Sequence, residues 1–199
     1  MEYNVTINNK KRLIIGMSGA SGATLGIEIL KTLKKYPDWE SHLVISKGAE
    51  QTILEETNYK LIDVINLADK TYSPKDIGAS IASGTFRTEG MVIVPCSMKT
   101  AAGIACGYSD NLLLRAADVT IKERRKLVLV PRESPLSTIH LRNLLSLSEL
   151  GAIIVPPMMS YYNKPASIED LNTHIIGKIL DKFHIEVNGF NRWGENAIY

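Results

Sequence analysis

The 199 residues are 45% hydrophobic and 22% charged, with a formal net charge of +2, the balance of an ordinary globular protein long enough to bury one core. The basic residues are scattered and no aromatic–basic RNA motif occurs, so nucleic acid is not expected as a partner; no apolar run reaches the length of a membrane span. Two cysteines, Cys96 and Cys106, and an opening MEYNVTINNKK without the apolar centre of a signal peptide fit a reducing, cytoplasmic setting.

In chain order, the first expected strand is Arg12–Met17, followed at once by SGASG and by a helical stripe of Leu25, Ile29, Leu30 and Leu33. A strand that ends in small residues just before a helix can wrap a phosphate, because the helix N-terminus presents free N–H groups and a partial positive charge. Small-residue turns also occur without a ligand, so this turn alone leaves both readings open. Further strands are expected at Ser41–Ile45, Gly90–Val94, Lys126–Val130 and Ala152–Val155. They are short, β-branched and apolar on both faces, as parallel strands covered by helices must be. Helices are expected near Ala49–Glu56, Thr100–Ala105, Asn111–Arg125, Ser137–Leu147 and Ser167–Phe183. Ser167 reads as the N-cap of the last, with Glu169 and Asp170 in its first turn. Residues 60–88 are the least regular segment. The alternation predicts one α/β domain over residues 1–199, a Rossmann-like or flavodoxin-like doubly wound parallel sheet, with 1–11 and 189–199 as tails.

In such sheets ligands bind outside the carboxyl ends of the strands. The five strands are followed there by SGASG, by Ser46-Lys47, by PCSMKT, by PRES and by PPMMSYYNKP, which gathers hydroxyls, an Arg–Glu pair and two tyrosines on one edge. The pattern suits a nucleotide. Gly16, Gly19 and Gly22 are spaced three apart rather than as G-x-G-x-x-G, and no acid follows the second strand to hold the ribose of NAD. There is no Tyr-x-x-x-Lys pair and no P-loop, so a mononucleotide such as FMN fits better, with Ser97 and Thr100 as further donors at a helix start. His42, His140, His174 and His184 lack ligand spacing and the cysteines are not C-x-x-C, so no metal site is expected; no G-x-S-x-G elbow supports a serine hydrolase.

Taken together, GMSGASGA, ISKGAE, ASGTF, MVIVPCSMKT, RAADVTIKERRKLVLVPRESPLSTIHLRN, GAIIVPP, YYNKPASIEDL and the closing RW resemble the UbiX family of flavin prenyltransferases, in the family's order from about Arg12 to Trp193. The resemblance implies a homododecamer that joins a dimethylallyl group from dimethylallyl monophosphate to N5 and C6 of reduced FMN, without a metal. The product, prenylated FMN, would serve a UbiD-type decarboxylase. An FMN-dependent aromatic-acid decarboxylase and a non-catalytic flavin carrier are the alternatives. Carried onto this sequence, the family's FMN contacts fall on Gly19, Ala20, Ser21, Ser46, Ser97, Met98, Lys99, Thr100 and Arg132. Its prenyl-phosphate contacts fall on Lys122, Arg132, Tyr162 and Lys178. Glu133 matches the catalytic acid, with Ser21 beside it, Glu56 matches a second acid, and Lys122 joins the catalytic set. Lys178 stands where the family commonly has Arg, which keeps the charge but loses the two-pronged grip on phosphate, and MMSYY departs from the family's proline–aromatic sequence. Without the resemblance, Arg115, Asp118 and Lys122 read as a solvated stripe on one helical face and Cys96 as a small buried residue; Tyr162 reads equally as packing, and the place of Arg132–Glu133 at a strand's carboxyl end already favours function over a surface ion pair.

Overall fold

In the computed structural model, which describes residues 10–194, the chain runs β1 (Lys11–Met17), α1 (Ala23–Leu33), β2 (Trp39–Ile45), α2 (Lys47–Glu56), α3 (Leu61–Ile65) and β3 (Lys70–Tyr72). It continues as β4 (Gly90–Cys96), α4 (Met98–Ala105), α5 (Leu112–Lys122), β5 (Lys126–Pro131), α6 (Thr138–Glu149), β6 (Ile153–Ile154) and α7 (Ile168–Leu180). The six strands form one sheet in the order β3-β2-β1-β4-β5-β6, every pairing parallel. That is the Rossmann order; without the three-residue edge strand β3 it reduces to the flavodoxin order. Residues of β2 and β4 are buried from end to end, which is why β4 reads as a continuous apolar run rather than an alternating one.

Each face of the sheet carries its own core. On one side Leu25, Ile29 and Leu30 of α1, Ile53 of α2 and Ile176 and Ile179 of α7 pack with Leu13, Ile15 and Val92. On the other, Ile104 of α4, Leu113 and Ala117 of α5 and Leu147 of α6 pack with Ile14, Met91 and Ile93. Helix α1 approaches β4 so closely that a Cβ on Gly26 would lie 2.7 Å from the Val94 carbonyl oxygen. No helix among the described residues is long and apolar enough to cross a membrane.

The structure adds β3 and α3 inside residues 60–88, where three and five residues are too few to show a period. Lys11 is no tail: it opens β1, its N–H donating to the Asp38 carbonyl at 2.8 Å; residues 1–9 lie outside the described chain. The expected C-terminal tail is docked as far as it is described. A Cβ on Gly177 would overlap the Phe190 ring, and Arg192 pairs with Asp181 and Glu186. Residues 195–199 again lie outside it.

β2 carries three buried polar residues, Glu40, Ser41 and His42. His42 is fully buried, with Nε2 2.7 Å from Glu40 Oε1 and Nδ1 2.8 Å from the Tyr72 hydroxyl, which in turn meets Ser80 at 2.9 Å. Glu40 also faces Arg12 at 3.5 Å and Lys70 at 3.4 Å. Burial pushes the imidazole below its ordinary pKa, outweighing the carboxylate beside it, so the ring is neutral at pH 7. Unfolding frees a ring that takes up a proton at about pH 6.5. The stability gained from a neutral His42 is therefore present above that value and is lost as pH falls through it toward the lower folded pKa. Thermal unfolding should show Tm falling between about pH 7.5 and 5.5, and His42→Gln should lower Tm at the higher pH while flattening that fall. An unchanged pH slope in the variant would remove His42 as its source.

Candidate functional site

The carboxyl ends of β1 and β4 part because α1 and α4 leave toward opposite faces, and the gap is held by one buried serine. Ser18 donates from its hydroxyl to the Pro95 carbonyl at 3.0 Å and accepts from the Ser97 N–H at 2.8 Å, while its own N–H donates to Pro95 at 3.1 Å. The chain then makes the turn Gly19–Gly22. A Cβ on Gly19 would lie 3.0 Å from Gly48 Cα, so two backbones touch where the β1 turn meets the start of α2. Gly22 lies in the left-handed region at φ 112°, which only glycine adopts at no cost.

The sequence left open whether this turn offers its amides to a phosphate. In the structure the N–H groups of Gly22 and Ala23 donate to Glu56 Oε2 at 2.9 and 3.0 Å, and the Ala20 N–H folds back onto the Ser18 carbonyl. The anion at the N-terminus of α1 is thus the protein's own carboxylate. Burial raises the Glu56 pKa, but hydrogen bonds from Ser21, Gly22 and Ala23 and the charge of Arg132 outweigh it and hold the carboxyl below its ordinary value. Ser21, Glu56 and Arg132 therefore form one electrostatic group, whereas the sequence resemblance set Ser21 beside Glu133.

Beside this group lies a cavity of about 660 Å³ whose walls include Gly19, Ser46, Gly48, Ser97, Lys99 and Thr100, a size suited to a drug-sized ligand or cofactor. The N-termini of α2 and α4 open onto it. Ser46 and Ser97 cap these helices, accepting from Ala49 N–H at 3.2 Å and Thr100 N–H at 3.3 Å, so their oxygens are partly engaged by the fold. Met98, expected among the cofactor contacts, turns its side chain into the core, leaving only its backbone for a ligand. The far wall, with Tyr108, Asn111 and Leu114, carries no motif and was not legible in the sequence; the SKGAE segment did signal Gly48.

The other expected residues are distributed unequally. Arg132 leaves β5 with its N–H on the Cys96 carbonyl at 3.2 Å, and exposed Glu133 accepts from the Ser134 N–H at 3.1 Å. Tyr162 is half exposed, its hydroxyl 3.2 Å from His174 Nε2 and its ring 5.2 Å from that of Trp193; Lys178 follows one helical turn after His174. Lys122 is not brought to this edge. It ends α5, which runs antiparallel to the strands, and pairs with Glu123 close to Gly84. The six residues of β5 then separate it from Arg132, a span of about 20 Å. The helical spacing of Arg115, Asp118 and Lys122 is real, and Arg115 pairs with Asp118 at 2.7 Å, but spacing does not say at which end of a helix a residue falls. Cys96 is buried, which pushes its thiol up to about 12, so it holds no thiolate for nucleophilic work. Among the described residues no three metal-ligating side chains converge.

Because Glu56 caps α1 from 34 positions away in sequence, Glu56→Ala should destabilise the fold by about 1 kcal/mol, as lost N-caps do. Glu56→Gln should lose less, since its amide oxygen can still accept. Urea unfolding measures both; equal, wild-type midpoints would show that the cap carries no stability.

The family described as Flavoprotein matches residues 2–183. Flavin prenyltransferase LpdB of Lactiplantibacillus plantarum is 55% identical over 183 residues, spanning 92% of this chain and 98% of that one. A dodecameric FMN-dependent UbiX-like decarboxylase from Escherichia coli O157:H7 superposes with a TM-score of 0.90 at 53% identity, over 92% of this chain and 98% of the other. AnUbiX in complex with FMN and dimethylallyl pyrophosphate gives 0.91 at 48% identity, over 94% and 100%. The chain belongs to the flavoprotein family, within its UbiX-like flavin prenyltransferase branch.

Proposed function

We propose that the protein transfers a dimethylallyl group from dimethylallyl monophosphate to reduced FMN, forming prenylated FMN and releasing phosphate. The observation that carries this reading is the cavity fenced by Gly19, Ser46, Ser97, Lys99 and Thr100 beside the Ser21–Glu56–Arg132 group. Donors suited to a mononucleotide, beside a cation and a carboxylate, support it. The donor set fits FMN: two helix N-termini and a lysine for its phosphate and hydroxyls, with Leu113 and Leu114 as an apolar wall for a flat ring. Bound in reduced form, FMN supplies an electron-rich ring system that an electron-poor allylic carbon can join. AnUbiX, at 48% identity, binds FMN together with dimethylallyl pyrophosphate.

The chain's own residues then have separable tasks. Arg132, Tyr162 and Lys178 bind the prenyl phosphate and stabilise the negative charge that grows on its departing oxygen, a preorganised electrostatic role. The charge of Arg132 already acts on Glu56. Glu133, exposed at the mouth of β5, takes the proton released on ring closure, and Ser21 orients the acid at position 56. Lys122, at the opposite edge of the sheet, can meet that phosphate only from a second copy of the chain. This agrees with assembly into an oligomer such as the dodecamer of the E. coli relative. A UbiD-type decarboxylase is the proposed recipient of the product, and the cytoplasm the proposed setting, in keeping with two free cysteines.

The E. coli relative is described as a decarboxylase, so that activity is the second reading. Anaerobic incubation with reduced FMN and dimethylallyl monophosphate should yield a flavin with the mass of prenylated FMN; carbon dioxide from a phenolic acid, without that product, would support decarboxylation instead. Glu133→Gln keeps size and hydrogen bonding but removes the proton acceptor. It should leave FMN binding unchanged and slow prenylation by roughly 10²–10⁴-fold, and a wild-type single-turnover rate would withdraw the assignment. Ser97→Ala with Thr100→Ala should raise the FMN Kd about tenfold or more through lost bonds to a charged ligand, at a cost of about 1 kcal/mol in stability from the lost cap. Native flavin affinity in the double variant would remove this loop from the site.

A further inference from the structure

His174 carries no motif spacing, yet it is the residue against which Tyr162 is built. It lies in the middle of α7, 2% exposed. Its ring meets Tyr162 edge-on at 5.5 Å and Phe190 at 5.4 Å, and Nε2 is 3.2 Å from the Tyr162 hydroxyl. Nδ1 is buried without a hydrogen-bond partner. Burial and the nearby charge of Lys178 keep the ring below its ordinary pKa, so it is neutral and has one N–H to place.

Two tautomers are open to such a ring. With the hydrogen on Nδ1, a buried N–H has nothing to donate to. With it on Nε2, the orphan is a bare lone pair, and the N–H finds the Tyr162 oxygen. Orphaned buried donors are the rarer and costlier case, so the ring donates from Nε2. The Tyr162 hydroxyl is then an acceptor on its inner side, and its own proton points away from the helix. The tyrosine is half exposed and Lys178 stands one turn after His174 on α7, so in the reading given above an anion would meet an O–H donor and an ammonium.

We propose that His174 is a positioning residue of the prenyl-phosphate site: by donating from Nε2 to Tyr162, it commits the phenolic proton to an anionic phosphate oxygen. This rests on the reading of Tyr162 as a phosphate donor given above. His174 itself need not touch the substrate, and its buried ring fixes the tyrosine through both the hydrogen bond and the edge-on contact.

The test uses His174→Phe, His174→Gln, Tyr162→Phe and the double variant His174→Phe/Tyr162→Phe of the full chain. FMN affinity and Tm are measured as controls; KM for dimethylallyl monophosphate, kcat and inhibition by inorganic phosphate are the readouts. His174→Phe should raise KM and the phosphate inhibition constant by about threefold to tenfold, the value of one hydrogen bond, with kcat changed less and FMN affinity unchanged. His174→Gln places an amide N–H where Nε2 was and should recover much of the loss, which also serves if the phenylalanine variant folds poorly. The double variant should be no worse than Tyr162→Phe alone, because His174 acts through that hydroxyl. If Tyr162→Phe weakens phosphate while neither His174 variant does, or if the two losses add, the positioning role is overturned and the tyrosine's role stands. If Tyr162→Phe changes neither constant, the phosphate reading of Tyr162 falls, and this inference with it.

Discussion

The site depends on one constraint, the parting of β1 and β4 at their carboxyl ends. These strands are neighbours with a register of Leu13↔Gly90 to Gly16↔Ile93, yet the helices that follow them pack on opposite faces. Beyond Gly16 and Ile93 the ladder must stop, and its backbone groups need other partners or pay the penalty for burial. Ser18 supplies them, with one hydroxyl and one N–H serving Pro95 and Ser97. The crevice so opened is where an open α/β sheet receives a ligand, and Gly19, Ser97 and Thr100 line it because they are the next residues out.

The same crevice distributes charge. A helix N-terminus at the end of β1 would attract any anion, including the phosphate of a substrate bound in the wrong place. By seating Glu56 on Gly22 and Ala23, the fold satisfies that terminus internally and leaves the N-termini of α2 and α4 and Lys99 for a ligand. The carboxylate also feels the charge of Arg132 at the end of β5. A cap contributing about 1 kcal/mol to stability thus also sorts which positive groups remain free.

What the sequence made legible follows from how far each signal reaches. The strands β1, β2, β4 and β5 announce themselves as apolar runs, and Ser167 as a cap because Glu169 and Asp170 follow it within one turn. Residues at strand ends, such as Ser46, Ser97 and Arg132, are placed on the right edge by the topology alone. Glu56 is different: its partners are 33 and 34 positions earlier, and no local pattern marks them. Lys122 shows the converse. Its helical spacing is correct, but the direction of α5 relative to the sheet decides which edge it reaches, and direction is a property of the packed fold. His174 looks like any buried histidine until Tyr162, 12 positions earlier, is seen against it.

One surface remains to be reconciled with this chemistry. Helix α6 buries only Leu147 and exposes Ile139, Leu141 and Leu145, with Leu136 just before it and Leu150 just after. So many exposed large apolar side chains on one short helix are the pattern of an interface rather than of a solvated helix. The loop that carries Arg132 and Glu133 runs directly into it, so whatever covers α6 also covers the mouth of β5. In an isolated protomer Arg132 and Glu133 face water, where their charges are strongly screened. In a homo-oligomer of the kind the E. coli relative forms, covering α6 would lower the local dielectric around both, and a second copy would bring the Lys122 that this copy holds at its far edge. Under the role proposed for Lys122, assembly and catalysis would rest on one structural fact: α5 and β5 run in opposite directions, so a single chain does not set Lys122 beside Arg132.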